Sequence, residues 1–280
     1  MNLIALGCAA LIVLLGGFLQ GLIAFGFGLL TVPLLLTAGF PVPVVLGMAT
    51  VCSAAQTLSG VHVLRHAVPW KPVGISFLFR SASMLAGVWV LRRLAGTPVT
   101  AIKFWVGTVM LSLVVMQAFW QPRPRPRLPA AWNLAAFLAS GFTGGLCAMG
   151  GPPLVLWVMA HDWPADRTRA FLFAAFSSLI PVQLGLFYAA LGPDVLRGAA
   201  LGVVLIPAVW IGSAAGLRLG ALVSKRRLRL AAYALLAAIA FSAIAPQVKL
   251  WAGMDDPGAP KRECLSREGA DGSSTSGRTP

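Results

Sequence analysis

Charged residues are scarce in this chain of 280 residues: they make up 11% of it, whereas 58% is hydrophobic and the mean hydropathy is +0.82. A soluble domain of this length could not cover so much apolar surface with so few charges. Acidic residues are scarcer still, since only Asp162, Asp166 and Asp194 precede residue 248. The basic residues fall between apolar runs, where topology signals belong, so the high isoelectric point does not indicate nucleic-acid binding.

Cysteine is also rare, and its spacing excludes a metal site of the usual kind. The four cysteines are Cys8, Cys52, Cys147 and Cys264, and no pair has the spacing of metal ligands. Three of them lie in apolar runs, where cysteine behaves as a small, inert residue. The sequence therefore predicts neither a metal nor a cofactor.

The apolar runs predict an all-α polytopic membrane protein with eight transmembrane helices. Two further apolar segments, 29–38 and 154–160, are too short to cross about 30 Å of hydrocarbon at about 1.5 Å per residue, so we interpret them as re-entrant half-helices. The predicted spans are 3–24, 44–64, 72–91, 102–120, 130–149, 170–190, 195–217 and 228–246.

The chain divides into two halves joined by a Pro/Arg linker. The stretch "QPRPRPRLP", 121–129, cannot form a helix and separates a first transmembrane repeat, 1–120, from a second, 130–247. Residues 248–280 form a polar tail that we expect to be disordered. The halves match at a shift of 124 residues, which places "GFLQGLIAFG" on "GFTGGLCAMG" and Ser53 on Ser177.

The number of crossings in each half decides how the repeats are related. Four crossings per half predict parallel repeats, whereas five, with the short segments crossing fully, predict inverted repeats. We favour four, so each repeat is predicted to contain four helices and one Gly/Pro-broken re-entrant half-helix.

The glycine-rich breaks are candidate substrate sites. Irregular backbone at membrane depth is tolerated only where protein or a water-filled cavity surrounds it, and the half-helix after a break offers free N–H groups to an anion. Close helix packing through small residues is the alternative, and we favour it for Gly17, Gly21, Gly141 and Gly145. The residues assigned to substrate binding are Gly26, Gly28, Gly150 and Gly151, and those assigned to fixing the breaks are Pro33, Pro152 and Pro153.

These motifs resemble those of the TauE/SafE (TSUP) family of sulfite and organosulfonate exporters. The segment "GGLCAMGGPPLVLWVM", followed by "DRTRAFLFAAFSSL", is similar to the signature of that family's second repeat. The segment "GLIAFGFGLLTVPLLLTAGFPVPVVLGMATVCS" is similar to the first repeat, and the resemblance covers about residues 10–245. It implies a membrane transporter of small, commonly sulfur-containing anions, built from duplicated four-span units.

Polar residues within the predicted spans also favour an anion. No Asp or Glu lies in any main span, whereas cation antiporters and many proton-coupled carriers place a carboxylate at membrane depth. Arg80 either faces a cavity, where its fork of donors suits a sulfonate or sulfite, or extends along the helix to the membrane surface. Further candidates are Ser53, Gln56, Ser177 and Gln20, with helix–helix hydrogen bonding as the alternative role.

We therefore predict a transporter that moves a small anion across the cell (inner) membrane by alternating access, with the lipid bilayer around it and no nucleic-acid partner. An intramembrane enzyme is one alternative, because Ser140-Gly141 resembles a fragment of a rhomboid-like serine site. His62 and His66 lie at the end of a predicted span and His161 lies in a loop, so no histidine is placed deep in a span to serve as its base. A non-transporting accessory protein is the other alternative, and the glycine-broken repeats argue against it.

Overall fold

The computed structural model describes residues 3–23, 26–94, 105, 108–109, 112, 115–116 and 128–222. Its elements are helical, as the sequence predicts. The long described stretches, 3–23, 26–94 and 128–222, contain nine α-helices, and a 3-10 turn, Arg65–Ala67, follows the third of them. These are α1 Leu3–Ile23, α2 Phe27–Thr37, α3 Val42–Leu64, α4 Trp70–Leu94, α5 Ala130–Cys147, α6 Gly151–Met159, α7 Ala165–Leu191, α8 Asp194–Val204 and α9 Ile206–Leu222.

Four of these helices, α1, α3, α4 and α7, are long and apolar enough to cross a membrane, and α8 with α9 makes a fifth if the pair is one span. The predicted span 195–217 is bent by 55° between α8 and α9. Pro207, which cannot donate a backbone N–H, lies just after the bend and accounts for it. The predicted spans 102–120 and 228–246, the linker 121–129 and the tail 248–280 lie largely or wholly outside the described residues.

Helices α5 and α6 form a hairpin. Gly150, just before α6, packs so closely on α5 that an added Cβ would lie 2.6 Å from the carbonyl oxygen of Ser140. Near the other end of α6, Trp157 Nε1 donates to Asn133 Oδ1 at 2.7 Å, close to the start of α5. Helix α6 therefore runs back along α5 toward the residues where α5 begins.

One pair of matching helices from the two halves runs in opposite directions. Thr50 of α3 contacts Gln183 of α7, and Gly60, further along α3, packs on Phe173, which comes earlier in α7. Helices α3 and α7 correspond at the shift of 124, yet they are antiparallel. For this pair of helices, the prediction of parallel repeats is therefore wrong. The prediction of four crossings counts the run 130–149 as one full crossing. In the structure this run forms a hairpin with α6, which returns the chain toward the start of α5.

Glycines bring helices of the two halves together. In α1, a Cβ on Gly17 would lie 2.6 Å from the Val209 carbonyl oxygen of α9, and Gly21 packs in the same way on Ser213. In α5, Gly145 packs likewise on Met84 of α4. The first helix of each half thus lies against the last described helix of the other, and these glycines serve close packing.

This packing predicts a stability difference between two glycines of one helix. Gly21→Ala should lower the stability of the folded protein by about 1–3 kcal/mol, because the added methyl group forces α1 and α9 apart. Gly7, also in α1, has no neighbouring atom within 4 Å of an added Cβ, so Gly7→Ala should have little effect. Thermal unfolding of both purified variants in detergent checks this. Equal melting temperatures would contradict the close α1–α9 contact.

Candidate functional site

A cavity of about 70 Å³ lies where the two breaks meet. At this point Gly28 of α2 faces the second break so closely that a Cβ would lie 2.7 Å from the Ala148 carbonyl oxygen. One water molecule needs roughly 10–15 Å³, so the cavity has room for a small polyatomic ion. Its lining residues come from α1 to α7 and the breaks: Gln20, Gly26, Phe27, Gly28, Leu29, Ala49, Thr50, Ser53, Arg80, Met84, Gly144, Ala148, Met149, Gly150, Gly151, Pro152, Phe176, Ile180 and Gln183.

The first break ends at Gly26, whose φ of 101° is in the left-handed region that favours glycine. The first backbone hydrogen bond of α2 runs from the Leu30 N–H to the Gly26 carbonyl oxygen at 3.1 Å. The N–H groups of Phe27, Gly28 and Leu29 therefore precede the regular ladder and have no acceptor within α2. All three residues line the cavity, where these donors and the positive end of the helix dipole suit an anion.

The second break offers fewer donors. Helix α5 is closed by Ala148, which adopts a left-handed φ of 57° and donates its N–H to the Gly144 carbonyl oxygen. In α6, the first residue is Gly151, and Pro152 and Pro153 follow it without any N–H. The donors of the two half-helices are thus unequal, and the first half supplies more of them.

Arg80 lies in α4, lines the cavity and is only 2% exposed. Its Nε donates to Ser140 Oγ at 3.1 Å, and its Nη1 donates to the Ala175 carbonyl oxygen at 2.5 Å. The guanidinium carbon is 5.3 Å from the centre of the Phe176 ring. The arginine is therefore held toward the cavity by α5 and α7, and it does not extend to the membrane surface.

The charge of Arg80 has no carboxylate beside it in the described part of the chain. The ion pair found there joins Arg197 and Asp194, which lie on α8. A buried ion costs several kcal/mol in desolvation unless other charges and hydrogen bonds offset it. An anion in the cavity would be stabilised by this arginine.

Neutral polar side chains complete the lining. Gln20 of α1 is 5% exposed and its Oε1 has no hydrogen-bond partner among the described residues. Its carboxamide can present either an acceptor or a donor to a ligand. Ser53 lines the cavity from α3, beside Thr50, whose Oγ1 accepts from Gln183 Nε2 at 3.5 Å.

The structure brings eight of the residues assigned from the sequence to this cavity and leaves four away from it. Gln56 is one turn beyond Ser53 and its Nε2 instead donates to the Gly17 carbonyl oxygen at 3.2 Å, a contact between α3 and α1. Ser177 has a buried hydroxyl that does not line the cavity, and Pro33 lies within α2 rather than at its break. The eight that line it are Gln20, Gly26, Gly28, Ser53, Arg80, Gly150, Gly151 and Pro152, and Pro153 is buried in α6 beside them.

The sequence did not point to Thr50, Met84 or Phe176, although all three line the cavity. Phe176 and Gln183 are seven residues apart on α7, two turns along one helix face. That spacing, together with the polar Gln183 in an apolar span, is the signal that could have identified this face.

Comparison with known proteins gives one result. A family model described as sulfite exporter TauE/SafE matches residues 9–243. No curated protein and no solved structure matches the chain. The matched range covers both breaks, Arg80 and every residue that lines the cavity.

Proposed function

Because the chain belongs to the sulfite exporter TauE/SafE family, we propose that it carries small sulfur-containing anions, such as sulfite or a sulfonate, through the cavity around Arg80. The family and the apolar helices make it a multi-pass membrane transporter. The observation that carries the choice of an anion is the buried arginine, which is the one charged side chain among the lining residues described.

The chemistry of the cavity supports this substrate class. The planar guanidinium matches two oxygens of a sulfite or sulfonate: Nε and one N–H of Nη1 donate to protein acceptors, which leaves Nη2 and the second N–H of Nη1 for an anion. The N–H groups at the start of α2 supply further donors. The other walls include Met84, Phe176 and Ile180, which exclude water around the ion.

We propose that the transporter works by alternating access and that its halves are inverted repeats of broken-helix type. The opposite directions of α3 and α7 support this arrangement, as does the meeting of the two breaks at the cavity. The full set of eight spans in two repeats, with re-entrant half-helices, is part of the same proposal. The cell (inner) membrane is its proposed location, with the bilayer and a small anion as partners and no nucleic acid or cofactor.

An enzyme is less well supported by the contacts of Ser140. Its hydroxyl donates to the Gly150 carbonyl oxygen at 2.5 Å and accepts from Arg80, so it is not paired with a base. The family match likewise favours a transporter over an accessory protein.

Flux into proteoliposomes tests the proposal. Purified protein should accelerate uptake of radiolabelled sulfite or methanesulfonate above that of protein-free liposomes, whereas uptake of ethylammonium, a cation of similar size, should remain at background. Sulfate and acetate in the same assay measure how far the site depends on the shape and charge of the anion. Uptake of the amine without uptake of any anion would contradict the proposal.

A further inference from the structure

The hydroxyl of Ser140 joins the arginine of the cavity to the second break. Ser140 lies on α5, is fully buried, and accepts from Arg80 Nε at 3.1 Å. The same hydroxyl donates to the carbonyl oxygen of Gly150, the residue that precedes α6. Side chains of α4 and α5 and the backbone at the start of α6 therefore share one chain of hydrogen bonds.

The direction of this chain is fixed by chemistry. A serine hydroxyl has one hydrogen to donate, and an arginine N–H can only donate. Arg80 thus donates to Ser140, and Ser140 donates to Gly150. Hydrogen bonds in such a sequence polarise one another, so each is strengthened in a buried setting.

The matching positions of the other half lack both members of this pair. At the shift of 124 residues, Ser140 corresponds to Gly16. Further along the repeat the shift is 125, which aligns Gly87 with Gly212 and Arg80 with Leu205. Gly16 packs on Phe27 and Thr31 instead. The arginine and its serine are therefore present together in one half and absent together from the other, as expected of two residues that act as a unit.

We propose that Ser140 is a positioning residue for anion binding, which holds the Arg80 guanidinium in the plane that presents Nη2 to the cavity. The bond to Gly150 also keeps that carbonyl oxygen, which would repel an anion, engaged with α5. This inference rests on the proposed function, because it assigns Ser140 a role through Arg80 at the same site.

Binding of radiolabelled sulfite to purified protein, measured by scintillation proximity, tests the inference with a double-mutant cycle. Ser140→Ala should raise the apparent Kd for sulfite about tenfold, since a hydrogen bond to a charged group is lost. In the Arg80→Ala background the same change should alter the residual Kd less than about twofold, because Ser140 acts through that side chain. Ser140→Cys keeps a weak donor and acceptor in place and should give an intermediate Kd.

Thr143→Val is the matched control. Thr143 lies one turn further along α5, and its hydroxyl donates to the backbone carbonyl oxygens of Ala139 and Ser140, not to a side chain of the Arg80–Ser140 pair. This variant should bind sulfite like the parent.

If both Ser140 variants bind like Thr143→Val, or if Ser140→Ala is equally harmful with and without Arg80, the positioning role is wrong although the site around Arg80 stands. If Arg80→Ala itself binds sulfite like the parent, the proposed function fails as well. Should Ser140→Ala not fold, the Kd of Ser140→Cys decides: a parent-like value overturns the inference.

Discussion

Arg80→Ala is expected to weaken sulfite binding about a hundredfold while the protein still inserts into the membrane. Removing one partner of a buried charge pair costs roughly 2–5 kcal/mol, and each 1.4 kcal/mol is about tenfold in affinity. The empty protein should not be destabilised to the same extent, because it no longer buries a charge without a counter-ion. Concentration-dependent uptake of radiolabelled sulfite, normalised to protein content, gives the apparent affinity.

Two further variants test whether the effect is specific to the guanidinium of Arg80: the conservative change Arg80→Lys, and an alanine substitution of an arginine outside the cavity. Lysine keeps the positive charge but loses the planar fork, so Arg80→Lys should recover only part of the affinity. Arg197 is exposed on α8 and paired with Asp194 at 2.8 Å, so Arg197→Ala should transport like the parent. Equal apparent affinities in the parent, Arg80→Ala and Arg80→Lys would discard the assignment of Arg80 to the anion.

Gly151→Val is expected to abolish most uptake with little effect on folding. A Cβ at Gly151 would have Phe176 Cζ at 3.8 Å as its nearest neighbour, an ordinary contact, and Gly151 lines the cavity, so we expect the valine side chain to take up cavity space. The neighbouring Gly150 is different, because a Cβ there would lie 2.6 Å from the Ser140 carbonyl oxygen and disturb the hairpin. We therefore expect Gly151→Val to reduce uptake at least about tenfold at unchanged expression, and Gly150→Val to reduce expression as well.

A glycine with free space elsewhere provides the control for this prediction. Gly185 lies on α7 outside the cavity, and an added Cβ would meet no atom within 4 Å. Gly185→Val should therefore retain parental uptake. Parental uptake kinetics in Gly151→Val would contradict a substrate site at the second break.

The sequence predicts the breaks well because their cause is local. Glycine weakens a helix and proline lacks the N–H that a helix interior needs, so the clusters "GFG" and "GGPP" indicate the places where α2 and α6 begin. The direction of the repeats has no such local cause. Hydropathy measures the length of an apolar run but does not reveal that α6 folds back along α5, so counting runs gives the wrong relation between α3 and α7.

For the site, too, the sequence predicts what has a local cause and does not predict what depends on the packing of other helices. The depth of Arg80 in an apolar run predicts burial or an extended path to the surface, and only the positions of α5 and α7 show that it faces a cavity. Ser53 and Gln56 lie one turn apart with similar polarity, yet one lines the cavity and the other bonds to α1. Which of two such residues faces the cavity depends on how the neighbouring helices pack. The sequence of a single helix does not carry that information.

A crystal structure with selenite would show whether a small oxyanion binds between Arg80 and the start of α2. Selenite has the shape of sulfite, and its selenium is identified by anomalous scattering. We expect a selenium peak in the cavity, with an oxygen within hydrogen-bond distance of Arg80 Nη2 and of a backbone N–H among Phe27, Gly28 and Leu29. Arg80→Ala crystals grown in the same selenite concentration should lack the peak. A cavity without selenium in the parent, or an unchanged peak in the Arg80→Ala crystals, would rule out an oxyanion site formed by Arg80.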